Sequence, residues 1–211
     1  MLQIGNISMI NWDNFFKTSD TFKKNKPVKF AFIEEFFERK FYERLYEAFP
    51  KFDEAWSSFS GYDKSQKIEQ WPKSKTGEYV DDPILSKEWN QFKNYAMSKE
   101  FVTNFRKYSG MEISKINLFD FTVYHKGDFQ LAHLHNPPKP QLYAMLYFSK
   151  NWSKGDPGGT FLCKRDESSI FFEPYNLDNS MLCFRDGPKA YHGARYITKD
   201  VVRQALIIQF V

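Results

Sequence analysis

The strongest constraint on the fold lies in the second half of the chain, where short apolar runs alternate with tight-turn sequences. The turn sequences include Asp-Pro-Gly-Gly at residues 156–159 and Arg-Asp-Gly-Pro at residues 185–188. Short apolar runs bounded by Gly, Pro and Asp are typical of strands joined by tight connections. The predicted strands span residues 116–124, 129–135, 142–149, 159–164, 168–172, 180–184, 191–197 and 202–211. This series predicts an antiparallel jelly roll of two packed sheets.

The first half of the chain has helical spacing instead. After a short predicted strand at residues 29–33, a helix is predicted from Glu34 to Pro50, with apolar residues at Phe37, Phe41, Leu45 and Phe49. Ser86 and Ser98 are candidate N-caps of two further helices, and Gly110 is placed to end the second. Helices followed by strands predict an α+β, mainly β fold: a double-stranded β-helix (jelly-roll, cupin-like) core with N-terminal helices packed on one face. We expect residues 1–211 to form a single domain, with helical support in 1–110 and the jelly-roll core in 111–211.

Residues 57–83 break both patterns, because periodicity is lost and polar residues dominate there. A stretch of this length within a compact domain is either functional or disordered. A lid or substrate loop and a flexible connection therefore stay equally open as interpretations.

Composition narrows the function classes. The 211 residues include 42% hydrophobic residues and 23 Phe, which is ample material for a core. No apolar run approaches the ~20 residues of a membrane span, and the polar N-terminus is a poor signal peptide, so we expect a cytoplasmic protein with no membrane partner. The net charge of +4 and a single dense basic run at residues 23–26 argue against a nucleic-acid partner. Cys163 and Cys183 lie inside apolar runs and are expected to be buried, reduced thiols.

Three histidines are candidate metal ligands. His133 and His135 stand two apart at the end of a predicted strand, so their side chains are expected to share one face. Pro137 follows and ends the strand. His192 comes after another apolar run, and Arg203 lies in the last predicted strand. An isolated His-x-His pair is more often incidental, but two close ligands, a distant one and a late arginine together indicate a metal site beside an anion site.

A set of short motifs recurs in a fixed order along the chain. They are Tyr124-His-Lys-Gly127, His133-Leu-His135-Asn-Pro137, Tyr147-Phe-Ser-Lys-Asn-Trp152, Gly158-Gly159, His192 and Arg203. In this order the chain resembles the iron(II)- and 2-oxoglutarate-dependent dioxygenases, specifically their prolyl-hydroxylase branch, over nearly its whole length. The resemblance implies Fe(II) as cofactor and 2-oxoglutarate as co-substrate, which is decarboxylated to succinate as a C–H bond is hydroxylated.

The resemblance also implies roles for individual residues. The implied metal ligands are His133, His135 and His192. Arg203 would bind the far carboxylate of 2-oxoglutarate, since a guanidinium meets both oxygens in plane. Tyr147 would donate a second hydrogen bond to that carboxylate, and Tyr124 would contact the metal-bound end. For each tyrosine, a core residue with a satisfied hydroxyl is nearly as good an interpretation. His125, the fourth histidine, is expected to face solvent.

His135 departs from the family pattern, which has a carboxylate at this position. A neutral imidazole raises the charge of the site by one and shifts its preference toward Zn, Ni or Cu. Two functions therefore stay open. The chain is either an active hydroxylase, acting on a prolyl residue of a protein or on a small metabolite, or a jelly-roll metal- and ligand-binding module that has lost oxygen activation.

Overall fold

The structure, a computed structural model, describes residues 8–51, 53–60, 66–70, 81–135 and 137–211. Its α-helices are α1 (Trp12–Lys17), α2 (Ser19–Lys24), α3 (Arg39–Glu47), α4 (Lys87–Ala96) and α5 (Lys99–Ser109). The first strands are β1 (Phe30–Glu34), β2 (Ser57–Ser60), β3 (Gln66–Gln70), β4 (Ile116–Tyr124), β5 (Phe129–His133) and β6 (Leu142–Phe148). The remaining strands are β7 (Thr160–Cys163), β8 (Ile170–Phe172), β9 (Asp178–Arg185), β10 (Tyr191–Ala194) and β11 (Arg203–Phe210).

All strand pairs are antiparallel, and their order explains the two-layered architecture. The path β1-β9-β6-β11-β4 continues through β3 into β5-β10-β7-β8, and β2 lies off this path and pairs with β3. The first five strands and the last four are the two walls of the jelly roll, and β3 joins them by pairing with both β4 and β5. The predicted double-stranded β-helix with N-terminal helices is confirmed.

Strand β6 shows why its sequence is apolar at every position. Alternate side chains point to opposite faces of a strand. One face, with Leu142, Ala144, Leu146 and Phe148, packs into the cluster that contains the helices. The other face, with Tyr143, Met145 and Tyr147, packs toward Leu162 of β7 in the opposite wall. A strand buried on both faces needs apolar residues throughout, and every β6 residue is buried.

The helices form an aromatic layer on the outer face of the first wall. Trp89 of α4 contacts Phe121 of β4 edge-on, with 4.6 Å between ring centres. Phe105 of α5 stacks on Phe210 of β11 at 4.5 Å. The predicted caps are in place: the hydroxyl oxygens of Ser86 and Ser98 accept from backbone N–H groups three residues on, and Gly110 ends α5 in the left-handed region. This layer supports, on the outer face, the strands whose inner face lines the site.

Several element boundaries differ from the sequence prediction. Helix α3 begins at Arg39 rather than Glu34, because β1 extends to Glu34. Helices α1 and α2 were not predicted; they bury Phe15 and Phe22. Strand β5 ends at His133, two residues earlier than expected.

Residues 57–83 contain regular structure that the sequence did not predict. The strands β2 and β3 pair with each other, and β3 pairs with the walls on either side. Residues 61–65 and 71–80 lie outside the described part, so the choice between a lid and a flexible connection is untested for them.

The remaining sequence expectations concern cysteines and membranes. Cys163 and Cys183 are both buried and unpaired, as predicted. In the described ranges, no helix combines the length and apolar character that a membrane crossing requires.

Candidate metal centre and anion site

A β-bulge between β5 and β10 helps to place His133 and His192 in the wall of one cavity. His133 pairs with His192 and Gln130 pairs with Ala194, so three steps along β5 oppose two along β10. Residues three apart in a regular strand face opposite sides, but the extra residue brings both Gln130 and His133 into the cavity wall. The backbones approach closely at Gly193, where an added Cβ would lie 2.4 Å from the Gln130 carbonyl oxygen. Only glycine fits this approach without displacement.

His135 reaches the same point from the segment that follows β5. Its ring stacks on Tyr143 of β6, with 5.5 Å between ring centres, and its Nδ1 lies 3.1 Å from Oδ2 of Asp186. These two contacts, rather than strand pairing, orient the ring. His135 is the exposed member of the cluster, and His192 is the buried one.

The three imidazoles form one compact group. Their ring centres are 4.4 Å apart for His133 and His192, 4.9 Å for His135 and His192, and 5.0 Å for His133 and His135. One candidate ligand atom from each ring lies within 4.8 Å of the others. His125 is not in this group; its backbone N–H donates to Asp128 and its side chain is 35% exposed.

Hydrogen bonds fix which nitrogen each ring presents. The Nδ1 atom of His133 lies 3.0 Å from the Leu131 carbonyl oxygen, and that of His192 lies 2.8 Å from the Ala190 carbonyl oxygen. The Nδ1 atom of His135 lies 3.1 Å from the Asp186 carboxylate. Carbonyl and carboxylate oxygens only accept hydrogen bonds, so Nδ1 carries the proton in each ring. The Nε2 lone pairs are then left for a ligand. This is the usual arrangement of metal-binding imidazoles.

Burial keeps two of these rings neutral. Desolvation lowers the pKa of His133, and the nearby His135 lowers it further. Desolvation likewise lowers the pKa of His192, with His133 as the next cause. A metal binds the neutral imidazole, so both rings are in the binding form at neutral pH. The donor set, its tautomers and its protonation state all fit a divalent transition-metal ion.

Arg203 lies on the wall of the same cavity and is 1% exposed. Its two terminal nitrogens donate to Oγ1 of Thr122 at 3.2 Å and to Oγ1 of Thr160 at 3.0 Å. Within the described ranges, its Nε has no hydrogen-bond partner, and no carboxylate forms an ion pair with it. A buried cation without an anion is costly. The cavity is therefore built to receive a negatively charged group.

Two tyrosine rings lie against the guanidinium. The central guanidinium carbon of Arg203 is 4.6 Å from the ring centre of Tyr124 and 5.3 Å from that of Tyr147. Burial raises the pKa of Tyr124 to about 12 and also raises that of Tyr147, so both keep their phenolic protons. Tyr124 lines the cavity. The Tyr147 hydroxyl accepts from the Thr160 backbone N–H at 3.2 Å, and Tyr147 itself lies behind the cavity wall.

The cavity joins the histidine cluster and Arg203 and has a volume of about 220 Å³. Ala205 of β11 lies on the same strand face, between Arg203 and Ile207, and belongs to the apolar cluster beneath the cavity. Sequence reasoning did not single out several residues of the site. They are Thr122, Thr160, Gln130, Tyr143 and Asp186. No local sequence signal marks them, because each reaches the site only through strand pairing or the β9–β10 connection.

No protein-family model matches the chain, and no curated protein matches it significantly. Solved structures do match. A prolyl-4-hydroxylase from Pseudomonas putida superposes with a TM-score of 0.68 at 14% identity, covering 93% of this chain and 97% of the other. A prolyl hydroxylase from Trichoplax adhaerens, in complex with a peptide fragment of the hypoxia inducible factor oxygen degradation domain, gives 0.57 at 14% identity, covering 94% and 88%. HygX from Streptomyces hygroscopicus, with nickel and 2-oxoglutarate bound, gives 0.56 at 11% identity, covering 94% and 85%.

These matches establish a shared fold over nearly the full chain. The protein has the double-stranded β-helix fold of the 2-oxoglutarate- and Fe(II)-dependent oxygenases, and the resemblance seen in the sequence is confirmed at this level. At identities of 10–14% in the matches given, the relation is one of architecture. Activity has to be argued from the site itself.

Proposed function

We propose that this chain is an Fe(II)- and 2-oxoglutarate-dependent oxygenase that hydroxylates a C–H bond. The observation that carries the proposal is the pairing, in one cavity, of three Nε2-directed histidines with a buried arginine that has no carboxylate partner among the described residues. A metal site alone would leave that arginine unexplained, and an anion site alone would leave the histidines unexplained. A metal-chelating dicarboxylate accounts for both.

The residues divide the work by position. His133, His135 and His192 hold the metal, which supplies oxygen activation when it is bound. Arg203 binds the far carboxylate of 2-oxoglutarate, with Thr122 and Thr160 holding its terminal nitrogens in place. Tyr124, still protonated, lines the same cavity. Its hydroxyl, which lies 3.4 Å from Oε1 of Gln130, donates to the co-substrate when that is bound. The resemblance implied that Tyr147 donates to the far carboxylate; because Tyr147 lies outside the cavity lining, its proposed role is to support the Arg203 guanidinium from the other side.

The overall reaction balances without a further reductant. Oxidative decarboxylation of 2-oxoglutarate yields succinate and CO₂, one atom of O₂ enters succinate, and the other enters the hydroxylated product. The prime substrate is a prolyl residue of a protein or a small metabolite. The Trichoplax adhaerens neighbour in complex with a peptide supports the first class by analogy alone.

The test is consumption of 2-oxoglutarate by purified protein with Fe(II) and O₂, followed as succinate release. Wild type is expected to form succinate even without a prime substrate, and Arg203→Gln is expected to lose 2-oxoglutarate binding while still binding Ni(II). Incubation with metabolite and peptide pools should then show a mass gain of one oxygen in the true substrate. Absence of any 2-oxoglutarate binding in the metal-loaded wild type would refute the proposal.

A second candidate is a metal- and ligand-binding module without oxygen activation. The feature that favours it is His135, which removes the negative charge from the ligand set. This candidate predicts metal and 2-oxoglutarate binding but no succinate. The same assay therefore separates the two functions.

Two broader assignments accompany the proposal. We place residues 1–211 in a single oxygenase domain, with the β2–β3 hairpin as part of its wall. We also assign it to the cytoplasm, because two buried, unpaired thiols suit a reducing compartment.

A further inference from the structure

One carboxylate, that of Asp186, contacts the histidine cluster in the described part of the chain. The Nδ1 atoms of His133 and His192 bond to backbone carbonyls, whereas that of His135 bonds to Oδ2 of Asp186 at 3.1 Å. Thus the histidine that replaces the usual carboxylate ligand is also the one with a carboxylate behind it.

The Asp186 carboxylate is held firmly in place. Its Oδ1 accepts from the Gly187 backbone N–H at 2.8 Å, and its own backbone N–H donates to the Gln141 carbonyl at 2.8 Å. The side chain is 0% exposed. It therefore cannot turn toward water, and Oδ2 is fixed toward His135.

The charge of Asp186 is not balanced by an ordinary ion pair. It borders a surface cleft that is also lined by Lys26, Lys29, Arg185 and Lys189. Within the described ranges, however, its ion-pair contact is with His135 rather than with any of these cations. A fully buried carboxylate is costly unless a cation or several donors compensate it. A metal-bound His135 would be the compensating group.

The net charge of a metal centre at this site depends on Asp186. A divalent ion with three neutral imidazoles carries two positive charges, but Asp186 reduces the total to one. Two histidines and one carboxylate around the same ion give the same total. We infer that Asp186 is a positioning residue that returns, through His135, the negative charge lost from the ligand set. The inference rests on the proposed function, because it requires that the cluster hold a metal.

Asp186 also determines how His135 binds. A carboxylate is a stronger acceptor than a carbonyl, so it holds the proton on Nδ1, directs Nε2 to the ion and makes the ring a better electron donor. His135 is the exposed member of the cluster and lies outside any strand, so it has the most need of such an anchor.

The first experiment measures Ni(II) and Fe(II) affinity by calorimetry for wild type and Asp186→Asn. Asparagine keeps the shape and an acceptor but removes the charge. We expect a loss of roughly 10–100-fold in affinity, the range usual for outer-shell partners of metal ligands. The matched control is Asp156→Asn. It removes a buried carboxylate that pairs with Lys199 and does not line the cavity, so it should leave metal affinity unchanged. Equal affinity for wild type and Asp186→Asn would overturn the inference.

The second experiment measures the histidine Nδ1–H resonances directly, so its first result comes from the wild type and does not depend on how stable the variant is. In the Zn(II)-loaded wild type with ¹⁵N-labelled histidine, the Nδ1–H proton of His135 should resonate furthest downfield of the three, because its acceptor is charged. In Asp186→Asn this signal alone should move upfield. A common shift of all three signals, or a His135 signal like the other two in wild type, would exclude an effect transmitted through His135.

Failure of the proposed function and failure of the role of Asp186 give different results. If wild type binds neither metal nor 2-oxoglutarate, the proposed function is wrong. If wild type binds both and Asp186→Asn binds metal equally well, only the role of Asp186 is wrong.

Discussion

His192 and His133 are cross-strand partners on β10 and β5, and their ring centres lie 4.4 Å apart. Strand pairing thus fixes two of the three candidate ligands before any metal arrives. Rings held this way lose little freedom on binding, which favours affinity. The cost is desolvation, which lowers the pKa of both imidazoles.

That cost predicts a pH-dependent stability of the metal-free protein. The unfolded chain protonates these histidines near pH 6.5, whereas the folded protein does so only at lower pH. The unfolded state therefore binds more protons below pH 6.5, and the free energy of unfolding should fall as pH falls. Between pH 6.5 and 5, His192 alone should account for about 2 kcal/mol, at about 1.36 kcal/mol per pH unit. Urea unfolding should show a flatter pH profile in His192→Gln than in wild type; equal slopes in the two proteins would contradict the assignment.

Gly193→Ala should damage both stability and metal binding. The added methyl group would lie 2.4 Å from the Gln130 carbonyl oxygen and 2.7 Å from the Phe161 ring, so β10 must move away from β5. Overpacking of this kind costs about 1–3 kcal/mol, and the shift separates His192 from His133. Gly155→Ala is the control: nothing lies within 4 Å of its added Cβ, and only its φ of +94° is unfavourable. It should destabilise mildly and leave Ni(II) affinity intact. Normal affinity in Gly193→Ala would show that the bulge does not position the ligands.

Local patterns were sufficient to predict most of the strands, but not where pairing stops. All eight predicted strands of the second half exist, and most of them bury apolar side chains, although β5 and β8 contain no fully buried residue. The end of β5 was misplaced because its partner β10 pairs with it only up to His133. The mostly polar segments at residues 57–60 and 66–70 gave no strand signal, since their order comes from long-range pairing with β4 and β5.

The site was likewise predicted only in part. Histidines, an arginine and tyrosines in a motif order are visible in a sequence. The bulge at Gln130, the threonines beneath Arg203 and the carboxylate behind His135 are not, because each depends on which strands become neighbours. These hidden partners fix charge and orientation, which the motif residues alone leave open.

Arg203→Met should separate stability from function. It removes an uncompensated buried charge and replaces it with a flexible apolar side chain, so the unfolding free energy without 2-oxoglutarate should rise by about 1 kcal/mol or more. Binding of 2-oxoglutarate, measured by calorimetry on Ni(II)-loaded protein, should be lost. Arg203→Lys should recover part of it, since charge is kept but the planar fork is not. A Met variant that binds 2-oxoglutarate normally would assign the anion site to another cation.

Thr160→Val should weaken 2-oxoglutarate binding without affecting the metal. The Thr160 hydroxyl accepts from a terminal nitrogen of Arg203 at 3.0 Å, and valine keeps the shape but removes the acceptor. Loss of one such bond to a charged group costs about 1.5–3 kcal/mol, equivalent to an affinity loss of roughly ten-fold or more. Thr103→Val on α5, away from the cavity, is the matched control. If Thr160→Val loses Ni(II) affinity as strongly as it loses 2-oxoglutarate affinity, the substitution has disrupted the whole cavity instead.

Moving the negative charge of the centre from Asp186 to position 135 should restore metal binding with a changed preference. The double variant His135→Asp/Asp186→Asn keeps one carboxylate in the centre but places it among the ligands. Its Fe(II) affinity should exceed that of Asp186→Asn alone, because the anion then contacts the ion directly. Its preference should move from Ni(II) and Zn(II) toward Fe(II) and Mn(II), because two histidines with one carboxylate are the usual ligands of non-haem Fe(II) and carboxylate suits Mn(II). Competition calorimetry with these four ions measures the change, and His135→Asp alone shows the effect of adding a second carboxylate to the one at Asp186. If the double variant binds Fe(II) no better than Asp186→Asn, position 135 does not face the metal, and the centre is a two-histidine site.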